Sequence, residues 1–91
     1  MQIEFTQEAS NFLESLNKKE YEKVKNKLLY LCSNYEVLKT SKNITSLVGF
    51  SNVYRYKISD NIRAIFEIKD DKITILILKI SYRKDIYNFK K

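Results

Sequence analysis

Apolar positions along this chain change their spacing from segment to segment, and the changes mark its elements. Residues 2–5 form a short extended stretch with Ile3 and Phe5 on one side, which predicts a strand. Thr6 then stands where an N-cap would, with Glu8 and Ala9 suited to a first helical turn. Ala9, Phe12, Leu13 and Leu16 fall at i, i+3, i+4 and i+7, so the helix has one apolar face. Asn17 interrupts the pattern, and a second helix is predicted over residues 19–34. Its apolar face is Tyr21, Val24, Leu28, Leu31 and Cys32, with Tyr35 below, and Lys23, Lys27 and Asn34 lie opposite. A connection this short predicts an antiparallel helix hairpin.

Residues 36–52 show no strong period and read mostly as loop, with Leu47-Val48-Gly49 as a turn into a sheet. After that the spacing becomes two. In residues 53–58, Tyr54, Tyr56 and Ile58 face one way and Val53, Arg55 and Lys57 the other. Ser59-Asp60-Asn61 is a turn by composition. In residues 62–68, Ile62, Ala64, Phe66 and Ile68 alternate with Arg63, Ile65 and Glu67. A second tight turn at residues 69–72 leads into residues 73–80, whose β-branched content predicts a central strand covered on both faces. Strands joined by such turns are antiparallel neighbours. The tail, residues 83–91, suits a short helix with Ile86 and Phe89, or Phe89 and Tyr82, turned inward.

The predicted order is β-α-α-β-β-β. Helix hairpin and sheet each have an apolar face to bury, so the expected fold is a two-layer α+β domain with a mainly antiparallel sheet of about four strands. With no proline, one glycine and no linker or repeat, residues 1–91 are expected to form a single domain.

Composition narrows the function. Seventeen Lys and Arg against eleven Asp and Glu give a formal charge of +6, which favours a polyanionic partner. No apolar run reaches the roughly 18 to 20 residues of a membrane helix, so no membrane partner is expected. A single Cys32 and a start without signal-peptide character fit a reducing cytoplasm. The chain has no histidine. That excludes a His/Cys zinc site, a Ser-His-Asp triad, a Cys-His pair and a two-histidine ribonuclease mechanism. There is no glycine-rich phosphate loop either, and neither a metal nor a small-molecule cofactor is expected.

What remains is basic and aromatic. If the strands around residue 60 pair as a hairpin, Arg55 or Lys57 lies opposite Arg63. Like charges across a ladder are unfavourable unless an anion sits between them. Lys79 and Arg83 close the group from the last strand, with Tyr82 and Tyr87 nearby. Arginines match phosphate through paired hydrogen bonds, and rings beside them stack on unpaired bases. Taken singly, each residue also fits an ordinary role: solvent-facing strand cations, a salt bridge from Arg63 to Asp60 or Glu67, packing for the tyrosines.

Four stretches in order resemble the RelE/ParE toxin superfamily of type II toxin–antitoxin pairs: Leu47-Val48-Gly49, Tyr54-Arg55-Tyr56-Lys57, Ile62-Arg63-Ala64-Ile65-Phe66, and Tyr82-Arg83-Lys84-Asp85-Ile86-Tyr87. The resemblance spans nearly the whole chain. It implies a metal-independent endoribonuclease that cleaves messenger RNA in the ribosomal A site, the 2′-hydroxyl attacking the adjacent phosphate. Carried over by position, the catalytic set is Arg55, Lys57, Arg63, Arg83 and Tyr87, with Lys79, Tyr82 and Lys84 as RNA-binding neighbours. Lys57 and Arg63 would stabilise transition-state charge, Arg83 would protonate the leaving oxygen or bind phosphate, and Tyr87 would position the base. Two positions depart from the pattern. Arg55 stands where some relatives have a lysine suited to proton abstraction, and arginine does not readily give up its proton. The base is then Lys57 in its neutral form, or the ribosome supplies it. Tyr82 replaces a frequent histidine. The resemblance also implies a cognate antitoxin as partner. Alternatives on the same fold are a ParE-like inhibitor of DNA gyrase without nuclease activity, and a degenerate module that only binds nucleic acid or antitoxin.

Overall fold

Thr6 ends the first strand and starts the first helix with one side chain. Its backbone is extended, its Oγ1 accepts from the Ala9 amide at 3.1 Å, and its hydroxyl donates to the Leu78 carbonyl at 2.8 Å. The structure, a computed structural model, is described for residues 1–86. Strand β1 (Gln2–Phe5) leads into α1 (Gln7–Glu14) and α2 (Lys18–Ser33). Asn17, which breaks the apolar pattern, is the N-cap of α2: its side-chain oxygen accepts from the Glu20 amide at 2.8 Å. The interruption is therefore a helix start signal, one residue ahead of the expected boundary.

The stretch expected as loop contains two small elements, α3 (Tyr35–Leu38) and β2 (Ile44–Ser46). Both escape a periodicity argument because one helical turn or three strand residues hold too few apolar positions to establish a spacing. Then come β3 (Val53–Lys57), β4 (Ile62–Ile68), β5 (Thr74–Tyr82) and α4 (Arg83–Ile86). The sheet has five strands in the order β1-β5-β4-β3-β2, not the expected four or so. β1 runs parallel to β5, and the other three pairings are antiparallel.

The helices cover one face of the sheet. Phe66, Ile75, Ile77, Ile80, Ala64 and Tyr56 meet Ala9, Leu13, Val24, Leu28 and Leu31 there, all buried. Each such large side chain contributes on the order of 1.5–3 kcal/mol when removed from water, so most of the fold's stability originates on this side. Phe66 is also ringed by aromatics, with Tyr54 stacked at 5.4 Å and Tyr35 edge-on at 6.1 Å. Burial, aided by the adjacent Tyr54 phenol, pushes the Tyr35 hydroxyl up to about 12. The opposite face carries a much smaller apolar cluster. Val53 and Ile65 pack under Ile86 of α4, with Leu47 and Leu78 at the margin. The expected inward turn of Ile86 is thus observed, while Phe89 lies outside the described residues. Among the described residues no helix is long and apolar enough to cross a membrane.

Candidate nucleic-acid interface

On the face away from the helix hairpin, alternation along β3 and β4 lines up charges. Lys57 sits directly opposite Arg63 in the ladder, and Arg63 is opposite Ser81 on β5. One row further, Thr45, Arg55, Ile65 and Lys79 lie side by side across four strands. Rows two residues apart are roughly 7 Å apart along the strands. Arg55, Lys57, Arg63 and Lys79 therefore share one patch, bordered by the apolar cluster under α4.

The β3–β4 turn holds two of these cations. The Arg63 guanidinium donates to the Ser59 carbonyl and, at 3.3 Å, to the Ile62 carbonyl. The Lys57 ammonium lies 3.5 Å from the Asp60 carboxylate. Both partners of that ion pair are well exposed, so it orients Lys57 more than it stabilises the fold. The turn is closed by Ser59, whose Oγ accepts from the Ile62 amide at 3.2 Å. Carbonyl dipoles and one carboxylate thus offset part of the repulsion between neighbouring positive charges.

β5 does not alternate strictly. Its register with β4 shifts between Ile65 and Phe66, so that Lys79 pairs with Ile65 and Ile77 with Phe66, and Leu78 is left over. This is a β-bulge. The Leu78 carbonyl is taken up by the Thr6 hydroxyl instead. Beyond the bulge, Ser81 falls beside Arg63, and Tyr82 pairs with Ile62 and packs edge-on against Phe12 of α1 at 5.4 Å. Tyr82 therefore stands on the helix side, away from Arg55, Lys57 and Arg63.

Tyr82, Arg83 and Lys84 instead line a cavity of about 600 Å³ at the end of β4 and β5, together with Asn61. The Arg83 amide donates to the Asn61 carbonyl at 2.7 Å and extends the ladder to the cavity wall. The expected set is thus divided. Arg55, Lys57, Arg63 and Lys79 gather on the open face, Arg83, Lys84 and Tyr82 gather around the strand ends, and Tyr87 lies outside the described residues. Asn61 in the cavity was missed by sequence reasoning, and Asp60, expected as a partner of Arg63, pairs instead with Lys57. Asn61 belongs to a segment whose composition signalled a turn.

A family model described as the ParE toxin of the type II toxin–antitoxin system, parDE, matches residues 3–87. No curated protein sequence matches the chain. Among solved structures, the archaeal RelE of the RelE–RelB complex from Pyrococcus horikoshii is similar at 25% identity and a TM-score of 0.68, covering 90% of this chain and 93% of that one. The toxin of the intact E. coli RelBE complex is similar in fold at 21% identity and a TM-score of 0.68, covering 88% and 93%. A YoeB/ParE toxin from Agrobacterium tumefaciens shares the fold at 12% identity and a TM-score of 0.69, covering 91% and 99%.

Proposed function

This chain belongs to the family of ParE toxins of type II toxin–antitoxin systems, and on that footing we propose that it stops growth by cutting messenger RNA in the ribosomal A site. The observation that carries this reading is the direct cross-strand pairing of Lys57 with Arg63 on an open sheet face. Two cations held together make a weak structural contact and a good seat for a phosphodiester. Arg55 and Lys79 border the seat and raise its potential.

In the proposed reaction the ribose 2′-oxygen attacks the neighbouring phosphorus, the bond to the 5′-oxygen breaks, and a cyclic phosphate remains. The 2′-proton passes to a ribosomal group. Lys57 or Arg63 meets the negative charge that builds on the phosphate oxygens. Arg83 binds the neighbouring phosphate, the departing 5′-oxygen takes its proton from water, and Tyr87 orients the base. With arginine at position 55, positioning by the ribosome does much of the catalysis.

The test is primer extension on ribosome-bound transcripts after brief expression. Breaks within the translated frame are expected for the native chain and none for Arg63→Ala combined with Arg83→Ala. Equal rates on free and ribosome-bound RNA would count against ribosomal activation. The partner on this reading is a cognate antitoxin, as in the RelBE complexes that share the fold. The +6 charge suits a neutral or acidic antitoxin segment that orders as it covers the basic face. The ParE description of the matched family favours a second reading on the same fold, an inhibitor of DNA gyrase without nuclease activity. DNA-damage signalling with intact transcripts would select it.

A further inference from the structure

The structure assigns a second anion site to the helix side of the sheet: the cavity of about 510 Å³ between α2 and β3, with Lys23, Lys27 and Tyr56 in its wall, takes up a small organic phosphate monoester. The site is independent of the ribonuclease reading. Tyr56 and Lys57 are successive residues of β3, so they face opposite sides of the sheet.

The observation that carries the assignment is the Tyr56 hydroxyl. Tyr56 is 2% exposed, and among the described residues its hydroxyl reaches only the Lys27 carbonyl, at 3.5 Å. An ordinary O–H···O bond spans roughly 2.5–3.0 Å, so this donor is poorly met. The same carbonyl lies within α2, where it also serves the helix ladder. Burial, with the nearby Tyr30 phenol, raises the Tyr56 hydroxyl above its ordinary 10.0, so it remains a donor. A buried donor without a good acceptor is costly, and an oxyanion in the cavity supplies the acceptor.

The rest of the lining selects the charge. Lys23 and Lys27 stand four residues apart on α2, a spacing at which like charges repel. Neither has an ion pair among the described residues, and no carboxylate lines the cavity. Asn26 and Asn43 add amide donors at the same wall. A phosphate monoester near neutral pH carries roughly 1.5 to 2 negative charges on three acceptor oxygens. Two ammonium groups balance that charge, and Tyr56 can donate to a third oxygen. A carboxylate or a phosphodiester brings only one charge. Lys23 also borders a neighbouring concavity that holds Glu20 and Asp60, which repel an anion and leave it on the Lys27 side. The volume exceeds what an oxyanion needs and lies within the usual range of small-ligand pockets. Leu38 and the half-exposed Tyr30 ring offer the organic part an apolar wall.

The experiment titrates phenyl phosphate into the native chain by calorimetry. Saturable binding is expected, roughly fivefold or more tighter than that of inorganic phosphate, which has no ring to rest on the apolar wall. Lys23→Ala combined with Lys27→Ala should weaken it roughly tenfold or more. Tyr56→Phe, which keeps the ring in the core, should weaken it about tenfold, the value of one hydrogen bond to a charged group. Arg63→Ala should leave it unchanged, which separates this site from the cations of the open face. Native-like circular dichroism of each variant excludes misfolding as the cause. No saturable binding, or binding lost in Arg63→Ala and kept in the other variants, overturns the site. Equal affinity for inorganic phosphate overturns the organic part of the assignment. Competition with 2′-deoxy hexanucleotides identifies the source of the monoester. Displacement by a 5′-phosphorylated strand alone assigns the site to strand ends, and displacement by neither strand assigns it to free monoesters. Equal displacement by the unphosphorylated strand overturns the preference for a monoester.

Discussion

The two faces of the sheet are built from alternate residues of the same strands, yet they differ in nearly every physical respect. Toward the helices, β3 and β4 present Tyr54, Tyr56, Ile62, Ala64, Phe66 and Ile68, buried or half-buried in one continuous core. Away from them the same strands present Val53, Arg55, Lys57, Arg63, Ile65 and Glu67, where a small apolar cluster under Ile86 borders a patch of cations. Apolar burial is concentrated on the first face and cationic charge on the second. Strand geometry allows both because successive side chains point to opposite sides. A register slip of one residue would exchange the two sets and destroy both properties together.

The comparison breaks most sharply at Phe66. Phe66→Ala should cost about 3–5 kcal/mol in a urea melt, a large share of the roughly 5–15 kcal/mol typical of small domains. A loss under about 1 kcal/mol would show that the helix side is not the main source of stability. On the other face, Arg63→Ala should change stability by about 1 kcal/mol, the value of one surface-side hydrogen bond. Transcript cleavage should nevertheless fall on the order of 10²-fold, as when one donor to a developing oxyanion is removed. A variant that instead unfolds would mean that Arg63 holds the turn at Ser59 and does little else.

Gly49 serves both faces, since the Leu47–Phe50 turn aims β3, closed by a 3.4 Å bond from the Phe50 amide to the Leu47 carbonyl. Its φ of 88° lies in the left-handed region, while a Cβ there would meet no atom within 4 Å. Gly49→Ala should therefore cost about 1–2 kcal/mol through backbone strain alone. Stability and activity should decline together in that variant, and unequal losses would point to a local role for the turn. The smallest effect concerns pH. The Tyr35 phenol is raised from its ordinary 10.0 to about 12, chiefly by burial. Its contribution is complete below pH 10 and is lost as pH climbs through 12, where ionisation favours unfolding. Tyr35→Phe should flatten the alkaline limb of a Tm-against-pH curve and leave the neutral region nearly unchanged.

Much of this was legible in the residues themselves. β4 was expected over the residues it occupies, because seven alternating positions between two polar turns leave one consistent assignment. That Arg55 or Lys57 faces Arg63 followed from the same alternation plus a short turn, and the ladder selects Lys57. The N-cap at Thr6 was visible too, although its second bond, to Leu78, links residues 72 positions apart and leaves no local trace. β2 and α3 were hidden by their brevity, and β2 depends on pairing with β3 that its own three residues do not announce. The placement of Tyr82 was obscured for a different reason: strict alternation holds only while every residue of a strand has a partner, and Leu78 has none in the β4–β5 ladder. Asn61 was visible only as a turn former, since its value depends on which side chains β5 brings to the same end.

That unmatched leucine reverses the parity of everything after it. Before Leu78, odd-numbered residues of β5 look toward the helices; after it, even-numbered ones do. Were Leu78 to take an ordinary place in the alternation, the tyrosine at 82 would swing out among the arginines while the serine at 81 turned toward α1. The chain would keep its composition, its charge and most of its core, but lose the separation between the cations of the open face and the ring that packs against α1.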